Sequence, residues 1–317
     1  MRVLITGAGG FVGAYLIRHL QSAYPDITIH GSFHFEEDSK RFLDIACHVI
    51  DLRDEAAVAG LIESARPDHI YHLAGQSFVP RSFEDPWETL ENNIKPQLNL
   101  ILSCLKLDMR PRMLVTGSAA IYGAAQQIPI AEDDPLMPSS PYSVSKVTQD
   151  MLGFQYFESH QFPVIRTRAF NHFGPGQSEN FVAPAFGMQI ARIEQGRQEP
   201  VLRVGNLSDR RDFTDVRDIV RAYVLLLEKG QAGQAYNVAS GQAHSIQYLL
   251  DTLLSYTNVK IDVQVDQARL RPGRIPVLQG DIMRLQQATE WQPQIPFEKS
   301  LHDVLDYCRE KVKSQGE

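Results

Sequence analysis

The composition of this 317-residue chain, with 43% hydrophobic residues and a formal net charge of −7 at pH 7, is that of an ordinary globular protein. Its acidic balance and its lack of a polybasic run exclude non-specific binding to nucleic acid or to anionic membranes. Cys47, Cys104 and Cys308 are few and widely spaced, so they indicate neither a disulfide framework nor a metal site. The chain enters a strand at once and has no apolar run of about 18 residues, so we expect neither secretion nor membrane insertion. These features predict a cytoplasmic protein.

The first predicted elements are a strand, a glycine-rich turn and a helix. Residues 3–5 form an apolar run that leads directly into Gly7, Gly10 and Gly13, and a helical pattern covers residues 11–23. Glycines at these spacings let the backbone turn tightly and approach a ligand pyrophosphate, while the helix amides and dipole face its negative charge. The beginning of the chain therefore predicts a dinucleotide-binding turn.

Up to about residue 165, short apolar runs alternate with amphipathic segments. The predicted strands cover residues 3–5, 27–33, 48–50, 69–73, 112–116 and 163–168. The predicted helices cover residues 11–23, 55–65, 86–107 and 141–160. This alternation favours an α/β fold, a Rossmann-type doubly wound parallel sheet that gathers its ligands at the carboxyl ends of its strands.

Beyond Phe170 the pattern changes to Gly- and Pro-rich loops, with predicted helices near residues 184–196, 215–228, 246–256 and 296–313. This region predicts a smaller C-terminal α/β lobe that binds the substrate. We place the boundary near residue 168, between a dinucleotide-binding domain over residues 1–168 and the substrate-binding lobe over residues 169–317. Segments near residues 215–240, including a strand at 235–238, are expected to return to the first domain.

Tyr142 and Lys146 lie four residues apart on the predicted helix 141–160, so their side chains share one face. An ammonium one turn away favours the phenolate and makes a tyrosine able to exchange a proton with a sugar oxygen at neutral pH. Ser118, in TGSAA at residues 116–120 after a predicted strand, can hydrogen-bond the same oxygen. An isolated Tyr-x-x-x-Lys is more often a surface helix pair, but together with the glycine turn the three residues predict a catalytic cluster.

These motifs resemble those of the extended short-chain dehydrogenase/reductases that act on nucleotide sugars. The resemblance covers essentially the whole chain and rests on TGAGGFVG at 6–13, DL at 51–52, HLAG at 72–75, Asn93, Ser118 and YSVSK at 142–146. It implies that Tyr142 is the acid/base, that Lys146 orients the nicotinamide ribose and that Ser118 holds the reacting oxygen. It also implies a cofactor site formed by Gly7, Gly10, Phe11, Val12, Gly13, His34, Asp51, Leu52, Leu73, Ala74, Gly75, Asn93, Tyr142 and Lys146.

The second half of the chain resembles the GDP-mannose 4,6-dehydratases and especially their downstream reductases. The motifs are RAFNHFGPGQ at 168–177, VGNL at 204–207, RDFTDVRD at 211–218 and LRP at 270–272. A sugar diphosphate needs guanidinium forks and amide donors, which Arg211, Arg271 and Asn171 carry. The motifs favour GDP as the nucleotide, but Arg274 stands where related enzymes carry an acid for the nucleotide ribose and cannot accept those hydroxyl bonds, so UDP stays open. The substrate-binding residues that the resemblance implies are Gln76, Ser118, Asn171, Asn180, Val182, Asn206, Arg211 and Arg271.

Ala120 occupies the position, two residues after Ser118, where the resemblance implies that dehydratases place an acid for elimination. A methyl group cannot move protons, so we expect very slow dehydration unless an acid from residues 132–134 reaches the site. Hydride transfer at C4 with proton transfer by Tyr142 remains, and it suits a 4-keto reductase or a 4-epimerase. The second-half motifs favour the NAD(P)H-dependent reduction of GDP-4-keto-6-deoxy-D-mannose to GDP-D-rhamnose. GSAAIYG at 117–123 resembles the epimerase segment and keeps a nucleotide-sugar 4-epimerase as the alternative.

The choice of cofactor depends on the end of the second predicted strand. Gly31 stands where NAD enzymes often place a carboxylate for the adenosine ribose, so repulsion of a 2′-phosphate is removed. We therefore expect NADP(H) to be preferred, with NAD(H) as the alternative. His34 or Lys40 would hold the 2′-phosphate.

The helices predicted at 86–107 and 141–160 carry apolar residues on more than one face, including Leu98, Leu102, Met151 and Phe154. Packing inside the monomer is the simplest explanation. The resemblance implies instead a homodimer in which these two helices from each subunit form a four-helix bundle. A non-catalytic dinucleotide sensor is a third hypothesis, which the presence of both Tyr142 and Lys146 opposes.

Overall fold

The computed structural model describes residues 1–269 and 275–315. Seven strands form one parallel sheet: β1 (Arg2–Thr6), β2 (Thr28–Phe33), β3 (Ala46–Val49), β4 (His69–His72), β5 (Arg112–Ser118), β6 (Val164–Ala169) and β10 (Ala235–Val238). Their order in space is β10-β6-β5-β4-β1-β2-β3, so the chain reverses its direction of travel between β1 and β4. A doubly wound sheet binds its ligand at such a switch point.

Helices cover both faces of this sheet. They are α1 (Phe11–Ala23), α2 (Glu36–Ser39), α3 (Glu55–Ala65), α4 (Val79–Glu84), α5 (Pro86–Lys106), α6 (Pro141–His160) and α8 (Val216–Lys229). Val3 and Ile5 of β1 pack in one core with α1 and α8, whereas Leu4 packs in another with α3 and α5. Burial on both faces explains why β1 is an unbroken apolar run rather than an alternating one.

A smaller lobe is built from short strands and three helices. One sheet contains β7 (Asn171–Phe173), β9 (Arg210–Asp215), β11 (Ala243–Ser245) and β13 (Val277–Leu278), and a second pairs β8 (Val201–Val204) with β12 (Asp262–Val265). The helices are α7 (Val182–Glu194), α9 (Ile246–Ser255) and α11 (Phe297–Ser314). The rings of Phe173, Phe213 and Phe297 meet with centroids 5.6 to 5.7 Å apart at the centre of its core.

The chain passes between the two lobes more than once. After β9, α8 packs on α1, and β10 pairs in parallel with β6, placing Asn237 opposite Arg168. Further along, α10 (Met283–Thr289) and the following residues return Leu285 and Trp291 to the core around α1. The boundary predicted near residue 168 falls at the end of β6, and the larger sheet extends across it.

The structure confirms the predicted α/β class with its parallel Rossmann-type sheet. The helices predicted at 11–23, 55–65 and 141–160 have the bounds that the structure gives. The bounds predicted for the strand at 48–50 are wrong: β3 covers Ala46–Val49 and lies at the edge of the sheet. No helix among the described residues is both long enough and apolar enough to cross a membrane.

Candidate active site

The glycine turn between β1 and α1 has the geometry of a pyrophosphate cradle. Gly7 has a φ of +66°, and a Cβ there would lie 2.9 Å from the Ala74 Cα. A Cβ on Gly13 would lie 2.6 Å from the Ala8 carbonyl oxygen. Gly10 caps α1 without a side-chain hydrogen bond, and the first turn of the helix contains no acidic residue. The first amides of α1 are therefore uncapped by any side chain, and the turn fits the phosphates of a dinucleotide.

The residues predicted at the adenosine end follow β2 and β3, the two strands that extend the sheet beyond β1. Asp51 follows β3, and both oxygens of its carboxylate accept hydrogen bonds from the Arg53 guanidinium at 2.7 to 3.1 Å. The hydrogen bonds from Arg53 lower the pKa of Asp51 to about 2, and the charge of nearby His34 contributes to the same direction. Asp51 is thus an anion throughout the neutral range, and His34 lies exposed at the end of β2.

Arg41 contacts the glycine turn and was not among the residues named from the sequence. Its Nη2 donates to the Gly9 carbonyl oxygen at 3.1 Å and to the Asp38 carboxylate at 2.7 Å. A Cβ on Gly9 would lie 2.9 Å from the Asp38 Cβ, so the segment after β2 folds directly over the glycine turn. The sequence does show a third basic residue near His34 and Lys40, but nothing in the sequence distinguishes Arg41 from these two. Only the folded loop shows that Arg41 contacts the glycine turn.

Ser118 and Tyr142 meet where β5 ends and α6 begins. Ser140 caps α6 through a reciprocal pair with Ser143, and Pro141 occupies the first turn, so the start of the helix is sharply defined. The Tyr142 phenol interacts with the side chain of Ser118, whose Oγ accepts from the Ala120 amide at 3.2 Å. Tyr142 is 8% exposed.

Burial and the neighbouring Ser118 set the pKa of Tyr142. Burial raises the pKa of Tyr142, and the hydrogen bond with Ser118 lowers it by less. Tyr142 without ligands is therefore a neutral phenol at pH 7. Lys146 is not among the causes of this pKa shift, so its stabilisation of the phenolate stays a prediction for the enzyme with its ligands bound.

Lys146 is held from the protein side by two acceptors. Its Nζ donates to the Thr116 carbonyl oxygen at 2.9 Å and to Gln149 Oε1 at 2.8 Å. Burial lowers the pKa of Lys146 to about 8. A Cβ on Gly75 would lie 3.8 Å from this Nζ, so the Gly75 backbone runs beside the ammonium.

Asn93 ties the loop after β4 to α6. Its Oδ1 accepts from the Gln76 amide at 2.7 Å, and its Nδ2 donates to the Gln76 carbonyl at 3.1 Å and to Ser145 Oγ at 2.8 Å. Both polar atoms of the Asn93 side chain therefore bond within the protein. Asn93 holds the backbone of the loop after β4 in place rather than offering a free group to a ligand. Gln76 Oε1 is buried without a hydrogen-bond partner among the described residues, which is costly unless a ligand or water supplies a donor.

Apart from Gln76 and Ser118, the described residues predicted to bind substrate lie in the smaller lobe. Asn171 begins β7 and is exposed, Asn180 precedes α7, and Val182 is its first residue. Asn206 donates to Asp209 at 2.8 Å, and Arg211 pairs with Asp209 at 3.3 Å. The guanidinium fork of Arg211 is thus already engaged, and Arg271 lies outside the described residues.

The acids of residues 132–134 do not replace the missing carboxylate at Ala120. Glu132 Oε1 accepts from the Asn237 amide at 2.8 Å, and its other oxygen lies 3.7 Å from the Arg284 guanidinium. Asp133 pairs with Arg284 at 2.7 Å, and Asp134 accepts from the Ala131 amide at 2.9 Å. Each of these carboxylates is thus already engaged by another group of the protein, which opposes its use as the acid that Ala120 does not supply.

A pyrophosphate cradle at the switch point of a Rossmann sheet, with a Ser-Tyr-Lys cluster at the next strand ends, defines the class of short-chain dehydrogenase/reductases. Among sequences, the chain is 34% identical over 99% of both chains to the GDP-6-deoxy-D-mannose reductase of Pseudomonas aeruginosa. It is 29% identical to GDP-mannose 4,6 dehydratase 2 of Arabidopsis thaliana, over 98% of this chain and 88% of that one.

Solved structures give the same assignment. RMD from Pseudomonas aeruginosa, complexed with NADPH, superposes with a TM-score of 0.87 at 33% identity, covering 98% of this chain and 100% of that one. The UDP-glucose 4-epimerase of Thermus thermophilus, in complex with NAD, superposes at 0.85 with 25% identity, covering 98% and 99% of the two chains. The chain belongs to the GDP-mannose 4,6-dehydratase family, whose model matches residues 4–304. Membership confirms the predicted family and the prediction of an enzyme that uses a nicotinamide cofactor and acts on a nucleotide sugar.

Proposed function

We propose that this enzyme reduces the 4-keto group of GDP-4-keto-6-deoxy-D-mannose with NADPH and forms GDP-D-rhamnose. The observation that carries the proposal is the match to RMD from Pseudomonas aeruginosa complexed with NADPH, which superposes with a TM-score of 0.87 over 98% of this chain. Ketone reduction also requires a proton donor at the carbonyl oxygen, and the Tyr142 phenol can supply that proton. The sequence similarity to the GDP-6-deoxy-D-mannose reductase of Pseudomonas aeruginosa, over nearly the whole of both chains, also supports ketone reduction.

The chemistry needs one hydride at C4 and one proton at the oxygen of the same carbon. When bound, the reduced nicotinamide supplies the hydride. Ser118 and Tyr142 interact where β5 ends and α6 begins, and in this proposal both hydroxyls hydrogen-bond the carbonyl oxygen of the sugar. Tyr142 donates its proton to that oxygen as the C–O double bond becomes an alcohol. The Lys146 ammonium stabilises the phenolate that remains until solvent reprotonates it.

The same geometry argues against dehydration. A 4,6-dehydratase needs a group that removes the C5 proton and assists departure of the C6 hydroxyl. Ala120 offers neither an acid nor a base, and Glu132 is directed to Asn237 and Arg284. The protein therefore consumes a 4-keto sugar rather than making one.

NADP(H) is proposed as the preferred cofactor, with Arg41 as the cation for its 2′-phosphate. Arg41 reaches the glycine turn through Gly9, where the exposed His34 and Lys40 have no comparable contact among the described residues. A guanidinium is suited to phosphate because it offers several donors in a planar fork. Asp38, the ion-pair partner of Arg41, is able to accept hydrogen bonds from ribose hydroxyls. Binding of NAD(H) would therefore require Asp38 to leave Arg41 and to turn to the ribose.

The proposed reaction is tested by mixing the purified protein with NADPH and GDP-4-keto-6-deoxy-D-mannose and following nicotinamide absorbance. We expect stoichiometric loss of NADPH and appearance of GDP-D-rhamnose. Absence of NADPH and NADH oxidation with this ketosugar would disprove the reductase. A protein that retains NAD through purification and interconverts UDP- or GDP-hexoses without net redox change would be the epimerase alternative.

A homodimer through α5 and α6 is proposed on the basis of the exposed apolar side chains on these helices. Val144, Met151 and Phe154 of α6 are 39 to 43% exposed, and Trp87 at the start of α5 is 74% exposed. Apolar residues repeated along helices in this way are typical of a face that packs on a partner. Cytoplasmic location stays a prediction, supported by three cysteines that are all free.

A further inference from the structure

A row of polar side chains lies behind Lys146 and crosses the sheet from α6 to β1. Lys146 Nζ donates to Gln149 Oε1 at 2.8 Å, and Gln149 Nε2 lies 3.5 Å from His72 Nε2. On its other side, His72 Nδ1 lies 2.8 Å from Thr6 Oγ1. Gln149, His72 and Thr6 are each at most 1% exposed. Thr6 Oγ1 also accepts from the Ala74 amide at 3.2 Å, next to the glycine turn.

The donors and acceptors of this row fix its orientation. An ammonium has only protons to give, so the oxygen of the Gln149 amide must face Lys146. The nitrogen of that amide then faces His72 Nε2, which must accept. His72 therefore carries its proton on Nδ1 and donates it to Thr6 Oγ1. Burial, with a smaller contribution from the Lys146 charge, lowers the pKa of His72 to about 3, in agreement with a neutral ring.

We propose that Gln149 is a positioning residue that fixes two protons at once: its side-chain oxygen orients the Lys146 ammonium toward the cofactor ribose, and its side-chain nitrogen holds His72 as the Nδ1–H tautomer. Two of the three Lys146 protons are directed to Thr116 and Gln149, which leaves one for a ribose hydroxyl. The inference rests on the proposed cofactor role of Lys146 but not on the identity of the sugar.

Few titratable groups face this row from the surrounding elements. Lys146 shares α6 with Tyr142, which meets Ser118 of β5, and His72 of β4 lies beyond Gln149. Tyr223 of α8 lies behind Tyr142 and is kept neutral by burial, which raises its pKa. Within the described residues no carboxylate contributes to the pKa shift of Lys146, for which burial is the cause. Loss of the Gln149 acceptor should therefore act directly on Lys146.

The first test measures NADPH affinity against pH by fluorescence, without any sugar. We expect binding by the parent protein to weaken above about pH 8, where Lys146 loses its proton. Gln149→Leu should move this break to lower pH by about one unit, because a hydrogen bond to a charged group is lost. Gln149→Glu should move it to higher pH, since a carboxylate stabilises the ammonium.

Gln155→Glu and Gln155→Leu are the matched controls, because Gln155 is exposed on the same helix. They should leave the break at its parental pH. If the Gln149 variants bind NADPH with the parental pH dependence, Gln149 does not act on Lys146 and the proposal fails. If the Gln149 variants shift the pH dependence of NADPH binding as expected but the parent protein does not reduce the ketosugar, only the proposed substrate is contradicted.

The second test uses nitrogen NMR of the histidine rings in the protein without cofactor, with His72 assigned from a His72→Asn variant. The parent protein should show a neutral His72 with its proton on Nδ1. In Gln149→Glu a carboxylate faces both neighbours, so the His72 proton should move to Nε2 or the ring should become charged. A parent spectrum with the proton on Nε2 would overturn the proposal even if both Gln149 variants failed to fold.

Discussion

At the scale of single residues, Tyr142 has the most direct chemical role. Tyr142→Phe removes the proton donor while leaving the ring that fills the buried space beside Ser118. We expect kcat for ketosugar reduction to fall roughly 100- to 10,000-fold, the usual contribution of general acid catalysis. Steady-state kinetics measure the loss, and the circular dichroism spectrum should be unchanged. Tyr156→Phe on the same helix is the control and should keep parental turnover.

The pair formed by Arg41 and Asp38 makes a second prediction about single residues. Arg41→Ala should raise the Kd for NADPH roughly threefold to tenfold and leave that for NADH nearly unchanged. Asp38→Ala frees the guanidinium and should favour NADPH further. Fluorescence titration with both cofactors measures the ratio. If Lys40→Ala raised the Kd for NADPH threefold to tenfold and Arg41→Ala left it unchanged, Lys40 rather than Arg41 would be the residue that holds the 2′-phosphate.

At the scale of elements, a buried ion group joins α6 to β6 and so fixes the helix that carries Tyr142 and Lys146. Asp150 accepts from Arg166 at 2.7 Å and from Arg168 at 3.0 and 3.2 Å, and its side chain is fully buried. Because removal of Asp150 leaves two buried cations unpaired, Asp150→Ala should lower the free energy of unfolding by about 3–5 kcal/mol. Urea denaturation measures the change.

The exposed pair between Glu91 and Lys95, 3.6 Å apart on α5, provides the control for this prediction. Solvent already screens that pair, so Glu91→Gln should leave the urea midpoint within error of the parent protein. Similar midpoints for Asp150→Ala and Glu91→Gln would show that the ion group does not stabilise the attachment of α6.

The elements also show how far the sequence could predict the fold and the site. Long segments such as α1 and α6 have enough helical periods to define their ends, and β1 is set by its apolar run before Gly7. Strands such as β7 and β13, of three and two residues, depend on pairing with the distant β9 and have no periodicity of their own. For the same reason Arg41 could not be selected, since its contact with Gly9 exists only after the loop folds.

At the scale of the whole molecule, association through α5 and α6 is the main prediction. Light scattering should give a particle of twice the 35.7 kDa chain mass. Met151→Glu combined with Val144→Glu places charges on the exposed α6 face and should give the single-chain mass. Met283→Glu, at a similarly exposed methionine on α10, should leave the mass unchanged. A parent particle of 35.7 kDa would contradict the dimer.

The repeated passage of the chain between the lobes limits how such a protein can diversify. A cut after β6 would separate β10 from its sheet and Trp291 from its core, so neither fragment would contain a complete set of packed layers. A substrate lobe from another enzyme could not be exchanged as a cassette at one recombination point, because several junctions would have to match together. New sugar specificity must therefore come from substitutions within loops already threaded through the common scaffold.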